Sequence, residues 1–128
     1  MREILFRGKR IDNGEWVEGS LVIWKDGSCS IEIGNFEAAV DPSTVGQYTG
    51  MTDKNGKRIF EGDVVKAEYK GNNKGLDGVG EVVFKECKFA LVWGWHKEIV
   101  CLTHFDNVEF EVIGNIHDNP DLLEVHHE

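Results

Sequence analysis

No stretch of this sequence approaches the roughly 20 apolar residues that cross a bilayer as a helix; its long apolar runs are of the order of FALVWGW at 89–95. A transmembrane helix is therefore excluded. Proline is scarce, with 2 in 128 residues, and there is no internal repeat. Cysteine is limited to Cys29, Cys87 and Cys101, an odd number at wide spacing, which fits free thiols in a reducing compartment rather than a disulfide framework. A basic excess is also missing: Lys and Arg total 14 against 23 Asp and Glu, a formal net charge of -9. That charge repels a polyphosphate at long range and disfavours general nucleic-acid binding. In MREILFRGKR, the residues Arg7, Lys9 and Arg10 fall where a signal peptide needs an unbroken apolar region. The protein is expected in the cytosol.

What is present points to a β protein. Hydrophobic residues make up 41% of the chain, and a chain of this mass buries about two-thirds of its unfolded surface, enough for a core without metal or disulfides. Fifteen glycines recur at turn signals: Asp12-Asn13-Gly14, Lys25-Asp26-Gly27, Asn55-Gly56 and Leu76-Asp77-Gly78, where glycine supplies the positive φ of tight turns. Between them, approximate period-two alternation predicts strands over 3–7, 15–24, 28–33, 63–69, 79–84, 88–95 and 107–113. In EWVEGSLVIW, Trp16, Glu18 and Ser20 face away from Val17, Gly19 and Leu21, with the apolar face expected from Leu21 onward. Asp41 before Pro42, and Asn119 before Pro120, predict two short helical turns, each with a side-chain acceptor at the N-cap and proline at the first helical position. The polar stretch 70–75 reads as a loop.

The turn Glu61-Gly62-Asp63 leads into Val64-Val65, with Gly80 to Phe84 as the expected returning strand. Glycine permits the tight turn, and the aspartate carboxylate accepts main-chain N–H bonds within it. Small SH3-type barrels often open a strand this way.

Candidate chemistry is thin. Cys87, His96, Cys101 and His104 offer two thiolates and two imidazoles, the donor set of a tetrahedral zinc site, but no paired C-x2-C knuckle accompanies them. A triad of Ser43 or Cys101 with His104 and Asp106 lacks a nucleophile elbow and an oxyanion loop. The glycine-rich GNNKGLDGVG lacks the strand-to-helix context of a phosphate loop. No enzymatic role, no metal and no cofactor are expected. Trp93 and Trp95 share a face with Phe89 and Leu91 and read as core, whereas Trp16, beside Glu15 and Glu18, is expected to be exposed. The charge is concentrated at one end: residues 105–128 hold Asp106, Glu109, Glu111, Asp118, Asp121, Glu124 and Glu128 and no Lys or Arg.

Longer motifs carry more information. QYTGMTDKNGKRIFEGDVVK (Gln47 to Lys66) with EVIGNIHDNPDLLE (Glu111 to Glu124), supported by ILFRGKRIDNGEWVEGSLV (Ile4 to Val22) and VDPSTVGQYTG (Val40 to Gly50), resembles the YopX family, proteins encoded mainly by bacteriophages and prophages of Gram-positive bacteria. The resemblance implies a mainly β chain with an SH3-type barrel in its C-terminal part, and it supplies no catalytic or ligand residues. The unit is expected to span 1–128, with a subdivision into 1–46 and 47–128 left open. In the strongest motif, Thr52 and Asp53 are placed to bond nearby main chain, and Asn55-Gly56 is suited to a type I′ turn. Either this stretch simply holds a hairpin, or its polar tip is a contact surface. The expected function is that of a non-enzymatic binding or accessory module acting on a protein partner, with no membrane association and with assembly as a homo-oligomer. Trp16, Tyr48, Asp53, Lys57 and Arg58 are the contact candidates. The rival is a nucleic-acid-binding barrel using aromatics with Arg2, Arg7, Lys9 and Arg10, whose affinity falls steeply with salt.

Overall fold

The structure, a computed structural model, describes residues 3–69, 78–85, 88–93, 98–101 and 108–124. The chain divides into two compact units, Met1–Gly50 and Met51–Glu128. Both are built from short antiparallel strands, as the alternation predicts.

The first unit contains β1 (Phe6–Lys9), β2 (Trp16–Ile23), β3 (Cys29–Ile33), β4 (Phe36–Val40) and the start of β5 (Gly46–Thr52). Their order is β4-β3-β2-β1-β5. Register places Leu21 opposite Ile31, and Ile31 opposite Ala38. The inward set is therefore Cys29, Ile31 and Val40, packed by Phe6, Val17, Leu21 and Val45. Here β2 differs from expectation, because Val17 is already packed while Ile23, at the far end, is 68% exposed. Gly19 accounts for the early packing, since it stands opposite Phe6 and lets β3 approach closely. β4 escapes the sequence reading because FEAAV is short and does not alternate apolar with polar residues. Beyond β1 the chain bends round to β4: Arg10 bridges Val40, the Ile11 N–H donates to the Ala39 carbonyl at 3.0 Å, and the Asp41 N–H donates to the Lys9 carbonyl at 2.9 Å.

The predicted turn after β4 forms as a 3-10 helix, Pro42–Thr44. The Asp41 carboxylate accepts from the Ser43 N–H at 3.0 Å, and Pro42 occupies a position where no N–H is needed. The Thr44 hydroxyl accepts the Lys9 N–H at 2.9 Å, tying the turn back to β1.

The second unit contains the end of β5, β6 (Arg58–Phe60), β7 (Asp63–Tyr69), β8 (Gly78–Lys85), β9 (Lys88–Trp93), β10 (Glu98–Cys101), β11 (Val108–Asn115) and the helix α1 (Asp121–Glu124). Five of the strands form a sheet in the order β10-β9-β8-β7-β11. The mainly β, antiparallel architecture expected of the C-terminal part is present, but among the described residues the sheet does not close, so the SH3-type barrel is not shown there. The returning partner of Val64-Val65 is β8, with Val64 opposite Glu81 and Val65 opposite Gly80. Ile59, Val65, Ala67, Val82 and Leu91 make the core, with Met51, Phe89, Val108, Phe110 and Val112 packed against it. Leu91 and Phe89 thus take the inward positions read from FALVWGW.

The glycine-aspartate turn works as expected. Gly62 takes a φ of +93°, and the fully buried Asp63 carboxylate accepts the Phe60 N–H at 2.7 Å. The second helical turn is built differently. Asn119 does not cap α1 with its side chain; its Oδ1 accepts the Asn115 N–H at 3.2 Å and holds the turn that follows β11. A register shift between Val112 and Gly114 bends β11 towards this turn. A Cβ at Gly114 would stand 2.6 Å from Asn119 Oδ1 and 2.7 Å from Leu122 Cδ1, so a side chain there would displace the Asn119 and Leu122 side chains.

Trp95, the stretch 70–75, the turn at Leu76-Asp77, and Cys87, His96, His104 and Asp106 lie outside the described residues. No helix among the described residues is long and apolar enough to cross a membrane.

Gly19 gives the most direct test of this packing. A Cβ there overlaps the Glu32 carbonyl oxygen of the neighbouring strand, which is main chain and cannot swing aside. Gly19→Ala is expected to destabilise the first unit by about 2–3 kcal/mol, the upper part of the range for overpacking, whereas Ser20→Ala, exposed on the same strand, is expected to change stability by under about 0.5 kcal/mol. Urea unfolding monitored by tryptophan fluorescence separates the two.

Candidate contact site

The motif between β5 and β6 forms a hairpin whose organiser is Asp53. Its N–H donates to the Lys57 carbonyl at 2.7 Å, and its carbonyl accepts the Gly56 N–H at 3.0 Å. Gly56 is left-handed, with φ +81°. The loop therefore has three residues, Lys54-Asn55-Gly56, with glycine in the left-handed position, and is not the two-residue type I′ turn that Asn55-Gly56 alone suggests. The difference arises from the Asp53 side chain, which competes successfully for the loop's amides.

That carboxylate is 7% exposed. Oδ1 accepts the N–H groups of Asn55 and Lys57, each at 2.9 Å, and Oδ2 accepts the N–H of Val112 at 2.9 Å, 59 residues away in β11. The Lys54 N–H donates to the Phe110 carbonyl at 2.9 Å. Lys54 Nζ lies 3.7 Å from Glu111, an exposed pair worth little by itself. Burial pushes the Asp53 carboxyl upward, but the main-chain donors Val112, Lys57 and Asn55, aided by the charge of Lys57, outweigh it and hold the group below the usual carboxylate range.

The result is a fixed, exposed tip. Lys54, Asn55, Gly56, Lys57 and Arg58 all face solvent, on a base whose main chain is hydrogen-bonded. Of the contact candidates, the structure brings Asp53, Lys57 and Arg58 together in this hairpin, with Asp53 beneath and the two cations outside. Trp16 and Tyr48 belong to the first unit. Tyr48 is buried, with its N–H donated to the Leu5 carbonyl at 2.8 Å.

Trp16 is half-buried, not exposed as the neighbouring glutamates suggested. It stands opposite Lys9 in register, and the Arg7 guanidinium lies over its ring at 4.6 Å with the Lys9 ammonium at 5.8 Å. Both distances are in the range of cation–π attraction. Trp24 is the more exposed indole at 50%, with its Nε1–H donated to Ser30 Oγ at 3.2 Å. Arg10 makes two hydrogen bonds to Asp12, at 2.9 and 2.7 Å, and lies 5.1 Å from the Phe36 ring. Arg7, Lys9 and Arg10 are thus engaged locally, which sequence spacing does not reveal, while Arg2 lies outside the described residues.

The other chemistry has little to assemble. Ser43 donates its hydroxyl to the capping carboxylate of Asp41 at 2.9 Å. Among the described residues no group of three or more His, Cys, Asp or Glu is placed to hold a metal ion. Cys29, buried in the first unit, is a free thiol.

The chain belongs to the YopX family: the family model described as YopX protein matches residues 5–124. The fold is similar to the crystal structure of protein yopX from Bacillus subtilis, 18% identical, with a TM-score of 0.62 over 96% of this chain and 97% of that one. It is also similar to protein EF1440 from Enterococcus faecalis, 23% identical, with a TM-score of 0.58 over 96% of this chain and 99% of that one. At these identities the likeness establishes the fold. No curated protein matches the chain.

Asp53→Ala removes a buried acceptor and leaves the Val112 N–H without its partner. It is expected to cost about 2–4 kcal/mol, since bonds to a charged acceptor are worth more than neutral ones. The folded carboxyl lies below its unfolded value, so its contribution is complete above about pH 4, the ordinary carboxylate value, and is lost as pH falls through the folded one. Urea titrations at stepped pH are expected to show the wild-type and Asp53→Ala stabilities converging only in that acidic window.

Proposed function

We propose that this member of the YopX family is a phage- or prophage-encoded, non-enzymatic module that acts in the cytosol through protein–protein contacts, with the Lys54–Arg58 tip as its contact surface. One observation carries this reading. The exposed tip is held from below by a carboxylate that bonds main chain within the loop, just after it and on β11. A loop fixed in this way loses little conformational freedom on docking, which favours recognition. Lys57 and Arg58 supply the polar specificity, and an acidic partner surface suits them.

The nucleic-acid reading receives less support. Arg7 is buried over Trp16, and Arg10 is engaged by Asp12. These two cations have local partners in place of phosphates, on a chain of net charge -9.

A host-lysate pull-down, run with and without nuclease, tests the proposal. The expected result is a stoichiometric protein that survives nuclease, is lost with Lys57→Glu/Arg58→Glu, and is kept with Lys25→Glu, a charge reversal on a turn of the first unit. Retention by the tip variant contradicts the proposal, and loss of all retention on nuclease treatment supports the nucleic-acid rival.

A further inference from the structure

Among the described residues β11 is the last strand of the second unit's sheet, paired to β7 on one side. An outer edge of this kind presents unpaired N–H and C=O groups, a template for strand addition. Here two of those groups are taken. The Phe110 carbonyl accepts the Lys54 N–H, and the Val112 N–H donates to Asp53 Oδ2.

The pattern has a specific meaning. When a strand docks in parallel, one of its residues donates its N–H to the carbonyl of residue i and accepts, on its own carbonyl, the N–H of residue i+2. Lys54 supplies that N–H to Phe110, and the Asp53 carboxylate stands where the carbonyl bonding Val112 would be. The hairpin tip thus imitates one residue of a neighbouring strand and then turns away, offering no edge of its own. Glu109 and Glu111 alternate with Phe110 along the same strand and oppose antiparallel pairing of two copies in the register that brings them face to face.

We infer that the Asp53–Lys54 step is a guard that closes a latent interaction surface, the outer edge of β11, against strand addition by a second copy of this chain. The partner is a second copy because every copy carries the same edge. A two-fold antiparallel pairing centred on Val112 places Glu111 opposite Ile113, so it joins the edges without setting glutamate against glutamate. The guard does not rest on the tip's proposed contact role, which involves the outward side chains of Lys57 and Arg58.

The experiment combines amide exchange of Val112 with sedimentation velocity over a concentration series, in about 0.5 M salt, where the screening length is about 4 Å. The proteins are wild type, Asp53→Ala, Asp53→Ala/Val112→Pro and Val112→Pro. Because the Val112 N–H points away from β7, proline there removes an edge donor and blocks strand addition while keeping the β7 pairing. Asp53→Ala is expected to speed Val112 exchange at least tenfold and to add concentration-dependent association beyond wild type. The double variant is expected to return to the wild-type sedimentation profile. Asp53→Asn, which keeps an acceptor oxygen, replaces the alanine if that variant does not fold, with a smaller effect in the same direction. Slow Val112 exchange in the variant, unchanged association, or association that persists with proline at 112 each overturns the inference.

Discussion

A single buried carboxylate sets the conformation of the hairpin between β5 and β6. Asp53 accepts the main-chain N–H groups of Asn55, Lys57 and Val112, and none of these donors has an equivalent partner in the regular strand pairing. Without the carboxylate, the loop's amides would compete for water and the edge of β11 would lie open. With it, a three-residue loop, a strand edge and an exposed basic tip share one fixed point. The tip's candidate role in recognition depends on this anchoring, because exposed lysines on a loose loop would give little specificity.

The same chemistry recurs at several other turns among the described residues. Asp41 accepts the Ser43 N–H, Asp63 accepts the Phe60 N–H, and Asp26 accepts the Ser28 N–H. Asn13 and Asn115 do likewise for Glu15, His117 and Asp118. Part of the acidic excess is therefore structural, since aspartates close the turns between strands. The net charge of -9 consequently says less about partners than its size suggests.

Much of the architecture was legible in the sequence. β7 runs over Asp63–Tyr69, as its alternation predicts, and the capping chemistry of Asp41-Pro42 and the turn at Gly62-Asp63 follow from local residue types alone. The misses have more than one cause: β5 (Gly46–Thr52) escapes the sequence reading because glycine at 46 and 50 interrupts its apolar alternation. β4, β6 and β10 are 5, 3 and 4 residues long, too short for periodicity to register. Asn119 has the residue type of a helix cap, yet tertiary geometry turns its side chain back to Asn115. At the candidate site, Asp53, Lys57 and Arg58 were visible as a polar hairpin, but the bond from Val112 spans 59 residues and has no local signature. The engagement of Arg7 and Lys9 over Trp16 depends on β1–β2 register, which also lies beyond local reading.

The account stands on the Asp53 carboxyl being ionised and satisfied by main-chain donors inside the fold. An NMR titration of its side-chain carboxyl carbon in the intact protein measures this directly. The expected result is a midpoint clearly below the ordinary value of about 3.9, with the Val112 amide proton shifting on the same curve. A midpoint at or above that value, or a Val112 amide indifferent to it, would contradict the claim that this carboxylate holds the hairpin to the sheet.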